Sequence, residues 1–513
     1  MAGFESRTQV RGTWRFRPQH VAVLLCSVVA GCAPVQPRAP SSVGPPVAAQ
    51  ADLSSDRRVA WLRTHAIPVR AVDPADDDFS DLRPLRPVIG NARVVLLGEQ
   101  THDDGITFLA KTRLIKFLHQ EMGFDVLTWE SGLYEVAKAW ELIEGGADSA
   151  TAMRRAISPA WTNVEETRAL FEYIGAVART TRPLAVAGFD CQLTGTISRD
   201  FLVSDVRAFL QEIGLDTTIL NAGTPLAVGL GAMVANTSRR RVADLVAPDS
   251  VFVDALSQLQ QRVASAAVPD RSGRRAFWAQ LLTSLRQEAL KLRAQLDSHD
   301  STATREEREA AFRRQFNLRD AQMTENLLWL ARKGYPGRKI IGWVATAHAT
   351  RNLDDVDTRM PDDPRRGTTP MGQWTWEALG QEVYVLGFTA YDLAAFEQAP
   401  NSDQSEEVEF EELMHAAGFE FAMVDFRRLP PGGEWLREPI ISRPMANWGM
   451  KARWPRVLDG MFYMREWRPA TRTGRQERQP GRGDNPALND RRPELRHGVS
   501  QSRSMDFREF VRG

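Results

Sequence analysis

Short apolar blocks separated by longer stretches of helical periodicity run through the middle of this chain. Residues 94–97, 124–129, 184–189, 339–344 and 383–388 are predominantly apolar and too short for helices. Such runs are expected where strands are buried on both faces, as in a parallel sheet covered by helices. The alternation predicts an α/β fold: a mainly parallel central sheet flanked by helices. Between residues 201 and 331 the pattern is helical instead, and 274–296 reads as one long amphipathic helix with Phe277, Leu281, Leu285 and Leu292 along its apolar side. This region, about 200–330, is expected to be a helical insertion packed over the sheet edge. The residues just beyond several strand candidates are chemically capable: Glu99 with His102, then Glu130, Asp190 and His348. Ligands in open α/β sheets lie at the carboxyl ends of parallel strands, so parallel neighbours would gather these side chains in one crevice.

Both ends depart from this pattern. Arg7, Arg11, Arg15 and Arg17 precede a short apolar run at 21–30, the layout of an export signal. The run is too short to span a bilayer. It ends in Val29-Ala30-Gly31-Cys32, similar to a bacterial lipoprotein cleavage box, with an ordinary secretory signal as the alternative. The expected organisation is a leader at 1–31, a lipid on Cys32 that anchors the protein to a membrane, a flexible tether at 32–55 and a folded body at 56–467. Residues 468–513 are dense in Arg, Pro, Gly and Gln and read as a disordered basic tail. The protein is thus expected outside the cytoplasm, facing the periplasm or cell exterior. Cys26 and Cys32 fall in or at the end of the leader, so Cys191 is left alone in the body, without an internal disulfide and read as a buried filler. Lys plus Arg total 65, as do Asp plus Glu, so no global field favours nucleic acid.

The sharpest local signal is Gly98-Glu99-Gln100-Thr101-His102, at the end of one strand candidate and the start of a helical pattern through Phe108, Leu114, Phe117 and Leu118. Glu99 and His102, three apart, share a side if the turn is already helical. A carboxylate orients an imidazole and raises its basicity, which suits general-base work near neutral pH. Acidic residues are also common in first helical turns, so the spacing alone leaves a surface helix start open. No Gly-x-Ser-x-Gly occurs, which leaves a serine nucleophile elbow without support.

Taken together, Leu96-Leu97-Gly98-Glu99-Gln100-Thr101-His102, then Phe108, Lys111 and Arg113, then Gly123-Phe124 and Trp129-Glu130, resemble the opening blocks of the erythromycin esterase-like family. Further blocks follow in the family's order: Ala187-Gly188-Phe189-Asp190; Arg319-Asp320 with Met323 and Asn326; 343–348 ending in His348; and Met371-Gly372. The resemblance covers roughly 93–388. It implies that His102 activates a water, that Glu99 and Glu130 position it, and that His348 supports the same site. It also implies that Lys111 or Arg113 stabilises a developing oxyanion. The expected substrate is a small-molecule carboxylic ester or lactone, with no cofactor. Two departures bear on what is hydrolysed. Asp103-Asp104-Gly105 and Ile106 stand where the family usually has Gly straight after the histidine and then an acidic residue. Ala345-Thr346-Ala347-His348 stands where many members show His-Asn-Ala-His. Asp103 or Asp104 is a candidate extra carboxylate near substrate, or a solvated loop acid. Asp190 is a candidate substrate contact, or a turn closer.

Two other readings use the same residues. Glu99, His102, Glu130 and His348 are also ligand types for a divalent metal, although no His-Glu-x-x-His or cysteine pair accompanies them. A non-catalytic lipoprotein that binds a ligand such as haem on a similar fold is the third. His65, His119, His299, His415 and His497 lack such company and read as packing or surface residues.

Overall fold

All five apolar runs become strands of one eight-stranded sheet in a computed structural model of the chain, ordered β1-β7-β10-β6-β2-β5-β3-β4. The structure describes residues 53–235, 250–267, 270, 273–360, 363–396 and 407–473. The expected leader, Cys32, nearly all of the tether and the tail from 474 onward lie outside the described residues. The strands are β1 (Ile67–Val69), β2 (Val94–Leu97), β3 (Phe124–Gly132), β4 (Ala185–Asp190), β5 (Lys339–Trp343), β6 (Val383–Asp392), β7 (Phe421–Asp425) and β10 (Gly460–Glu466). A separate antiparallel pair joins β8 (Ile440–Ser442) to β9 (Met450–Ala452).

From β10 to β4 every pairing is parallel; β7 runs antiparallel to β10, and β1 antiparallel to β7. β2 is buried at all four positions and β4 at all six. Burial on both faces is why these strands read as continuous apolar runs rather than alternating ones. β2, β5 and β3 are consecutive in the sheet although β5 comes last in sequence, so their carboxyl ends lie side by side, where open α/β sheets carry their ligand crevice.

The pairing of β3 with β4 is irregular between Trp129 and Gly132, where a bulge interrupts the register. A bulge re-aims side chains, and here the re-aimed residues are Glu130 and Ser131. Gly188 of β4 faces the bulge. An added Cβ there would lie 2.3 Å from the Gly132 carbonyl oxygen and 2.4 Å from that of Ser131. Gly372 is similarly constrained: it is the second residue of the Met371–Leu379 helix, and a Cβ would lie 1.9 Å from the carbonyl oxygen of Ala349.

Between β4 and β5 the described chain is helical, including Ile197–Glu212, Pro225–Val234, Val251–Ala264, Arg274–Ser298 and Arg305–Trp329. The Arg274–Ser298 helix buries Phe277, Leu281 and Leu285 as its periodicity requires. The last helix of this region does more than cover an edge, because it carries Arg319 and Asp320 to the crevice. Among the described residues no helix is long and apolar enough to cross a membrane.

The folded body extends past residue 467, into the start of the expected tail. Residues 468–473 lie on the folded body: Gly105 N–H donates to Arg468 O, Ala470 N–H to Asp103 O, and Thr473 N–H to Asn163 O. Arg472 pairs with Asp103 at 2.5 Å. Backbone pairing holds this polar stretch, which composition alone does not reveal.

Gly188→Ala is expected to lower the unfolding free energy by at least about 1–3 kcal/mol in urea denaturation, because the new methyl meets backbone that cannot rotate away. Gly231→Ala, in a helix with nothing within 4 Å of the added Cβ, is expected to leave stability unchanged or raise it by up to about 1 kcal/mol.

Candidate active site

The turn after β2 places Glu99 at the floor of the crevice, fully buried. Gly98 permits this close turn, since a Cβ there would lie 2.4 Å from Thr346 Oγ1. Both oxygens of Glu99 are engaged. Oε1 lies 2.8 Å from His102 Nδ1 and accepts the indole N–H of Trp161 at 2.8 Å. Oε2 accepts from Lys111 Nζ at 2.8 Å. A carboxylate only accepts, so His102 carries its proton on Nδ1. The ring of His102 meets that of Trp161 edge-on, with centroids 5.1 Å apart.

His102 leans outward: its side chain is 46% exposed while Glu99 is sealed behind it. The surrounding protein disfavours charge on the imidazole, but the hydrogen bond and charge of Glu99 outweigh this and raise its pKa above the ordinary 6.5. Lys111 is wholly buried, with Nζ 4.0 Å from the Trp343 ring centroid. Burial pulls its pKa down to about 8 even though Glu99 opposes the shift.

Opposite this trio stands a second cluster, centred on Arg319. Its Nη2 donates to Glu130 Oε1 at 2.7 Å and to Asp190 Oδ2 at 2.6 Å, and its Nε reaches Asp190 at 3.1 Å. Nη1 lies 2.9 Å from His348 Nε2. The other nitrogen of that ring, Nδ1, is 2.8 Å from Asp320 Oδ1. Asp320 and Glu130 favour a proton on His348 against its burial. An arginine N–H, however, can donate only to an unprotonated nitrogen, so with Arg319 in this position His348 is neutral, its proton on Nδ1 facing Asp320. Phe316 stacks on the ring at 5.1 Å. Glu130 Oε2 accepts the Ala345 backbone N–H at 2.8 Å. Burial resists ionisation of Glu130, yet the charges of Arg319 and of His348 and His102, both imidazoles being protonated at the acid pH where this carboxyl titrates, outweigh it and hold its pKa down at about 2. The charges of Glu130 and Arg319 also act on His102, so the two clusters form one electrostatic unit.

Thus Glu99, His102, Lys111, Glu130 and His348 are brought together, and three expected site residues take other roles. Arg113 lies away from the crevice: it binds Asp81 at 2.8 Å and the carbonyls of Ala71 and Asp78. Two residues from Lys111 on a helix, it faces the opposite side. Asp104 caps the Gly105–Met122 helix through Thr107 N–H at 3.1 Å, and burial pushes its pKa up to about 7. Asp190 has no surface for a substrate; it ends β4, closes the turn that follows by accepting the Gln192 backbone N–H on Oδ1 at 3.1 Å, and holds Arg319 in a two-point grip. Asp103, the other candidate acid, pairs with Arg472 outside this network. Arg319, Asp320 and Trp161 have site roles that no local sequence feature assigns. Arg319-Asp320 stood out as a block, whereas nothing local marked Trp161. Asn326 of the same block is structural, with its amide donating to Phe189 O and Ser284 Oγ. Cys191 is buried, with its thiol toward Glu288 Oε2 at 3.3 Å and its pKa pushed well up by burial.

Lys111→Met is expected to cost about 3–5 kcal/mol of stability, because it strands a buried carboxylate without its cation. The depressed pKa of Glu130 sets an acid dependence. Its folded value near 2 lies below the ordinary 4.5, so its contribution to stability is complete above about pH 4.5 and is lost as pH falls from there through 2. Denaturation followed against pH is expected to show this loss in the wild type and to lack it in Glu130→Gln.

The family model described as Erythromycin esterase matches residues 119–467, more than half of the chain. Its match begins after the Glu99–His102 turn and Lys111. A putative hydrolase of Bacillus subtilis (strain 168), YbfO, is 26% identical over 412 residues, covering 76% of this chain and 85% of the relative. Erythromycin esterase type II of Escherichia coli is 37% identical over 75 residues, 15% of this chain and 18% of that protein. Among solved structures, a Bacillus cereus protein aligns with a TM-score of 0.62 at 16% identity, covering 82% of this chain and 99% of its own. A mutant of the erythromycin esterase EreC, in its open conformation, aligns with a TM-score of 0.56 at 15% identity over 79% of this chain and 97% of its own. With a family match over most of the folded body and the same fold in these structures, this chain belongs to the erythromycin esterase family.

Proposed function

We propose that the protein is a hydrolase that cleaves a carboxylic ester or lactone with a water activated by His102. The observation that supports this most is the pairing of a half-exposed imidazole with a fully buried carboxylate. Glu99 fixes the Nδ1–H tautomer and leaves Nε2 for a water. His102 takes a proton from that water as its oxygen attacks the ester carbonyl, and the same imidazolium then protonates the departing alkoxide. The attack places negative charge on the carbonyl oxygen, which needs a fixed donor. Arg319 has five N–H groups. Its hydrogen bonds to Asp190, Glu130 and His348 engage Nε, both Nη2 hydrogens and one on Nη1. The remaining Nη1 hydrogen is the donor proposed for the oxyanion, in place of Lys111, whose ammonium is sealed between Glu99 and Trp343. His348 and Asp320 hold Arg319 for that task.

The water is activated without a metal in this reading. Glu99 is engaged by Lys111, while Glu130 and Asp190 share Arg319, so carboxylate oxygens that a divalent ion would need are already held by fixed cations. Among the described residues no three His, Cys, Asp or Glu side chains are grouped to hold one. The missing family histidine at Ala345 leaves one contact intact, since Ala345 serves Glu130 through its backbone. Secretion and a lipid on Cys32 complete the proposal, for a substrate met outside the cytoplasm.

On a panel of simple esters and lactones, His102→Ala is expected to lower kcat by at least about 100-fold with little change in KM. Activity is expected to rise with pH as His102 loses its proton, with a midpoint above 6.5, the ordinary value that Glu99 raises. Dialysis against a chelator is expected to leave turnover unchanged; loss restored by zinc or manganese would overturn the metal-free reading.

A further inference from the structure

Beside the base stands a residue that neither the family blocks nor the strand ends point to. Trp161 lies in the Pro159–Thr162 helix, 62 positions from Glu99 in sequence, and is buried. Its indole N–H donates at 2.8 Å to Glu99 Oε1, the same oxygen that holds His102 Nδ1. A carboxylate oxygen offers two lone-pair directions, so Oε1 is filled by these two groups. With Lys111 on Oε2, rotation of the carboxylate would break three charge-assisted bonds at once.

The tryptophan is itself held. Trp129 lies 6.2 Å from it, and Trp129 stacks on Trp343 at 4.7 Å. The indole N–H groups of Trp129 and Trp343 have no hydrogen-bond partner among the described residues. Of the three rings, Trp161 is the one whose N–H meets a carboxylate. Its segment is also tied to the residue after His102: Arg472 Nη1 donates to Ala160 O at 3.3 Å, while its Nη2 donates to the Asp103 carboxylate at 2.5 Å. Packing alone would place a ring here; it would not aim the N–H at the oxygen that orients the base.

We propose that Trp161 is a positioning residue, whose N–H fixes the carboxylate of Glu99 and, through it, the tautomer and direction of His102. The proposal rests on His102 being the base. Removing the N–H leaves Oε1 to His102 alone, so the imidazolium is bound more strongly while the carboxylate gains freedom to turn. The neutral, productive form becomes scarcer and less well aimed.

The test replaces Trp161 in the full-length protein in two ways: Trp161→Phe, and substitution by 3-benzothienylalanine, which keeps the ring shape with sulfur for the N–H. For whichever simple ester the wild type turns over, kcat is expected to fall about tenfold with KM within about twofold, and the acidic limb of the pH–rate profile to move up by roughly half a unit. The midpoint of His102, followed by NMR of its ring, is expected to move the same way. If kcat and midpoint both stay at wild-type values, or kcat falls with an unmoved midpoint, Trp161 is packing and the proposal is overturned. The NMR arm needs no turnover. A wild type that hydrolyses no ester would therefore sink the proposed function while the midpoint still decides the part played by Trp161.

Discussion

Four carboxylates, Glu99, Glu130, Asp190 and Asp320, are buried at the carboxyl ends of the sheet's parallel strands, and the rest of the site follows from what that burial demands. A buried carboxylate without a partner costs several kcal/mol, so each must be met by a cation or by several donors. Lys111 meets Glu99 from the helix after β2; Arg319 meets Glu130 and Asp190 from the helix before β5. Asp320 has the imidazole of His348 and the backbone N–H of Met371. With these carboxylates held, one member of the network, His102, is left facing solvent.

This arrangement explains why the helical region between β4 and β5 belongs to the site. A parallel sheet must cross over between neighbouring strands, and β4 lies at the edge while β5 lies between β2 and β3. The returning chain therefore passes over the crevice, and the Arg305–Trp329 helix delivers the cation that the strand-end carboxylates require. Residues 468–473 act at the other wall, bridging the His102 turn and the Trp161 segment through backbone bonds and Arg472.

Much of this was legible in the sequence where burial is two-sided. β2, β4 and β5 appear as apolar runs, and the acids and histidines at their ends mark the crevice. The short edge strand β1 and the later β7 and β10 were not read, because their pattern depends on partners far along the chain. Helical geometry could have separated Lys111 from Arg113, which stand two apart and so face opposite ways, and could have marked Asp104 as a helix cap. Arg319 and Trp161 are different. Their roles arise from contacts 129 and 62 residues away, so only the folded chain identifies them. The bulge at Glu130 was equally hidden; its sequence trace is Gly188 on the neighbouring strand, which makes sense only once the pairing is known.

The central claim is that buried Glu99 sets the protonation of a solvent-facing His102. Nitrogen-15 NMR of the histidine rings in the native protein, compared with Glu99→Gln, reads this directly. The account predicts that neutral His102 carries its hydrogen on Nδ1, titrates above 6.5, and falls in midpoint when the carboxylate is removed. A hydrogen on Nε2, or a midpoint indifferent to Glu99→Gln, would contradict it.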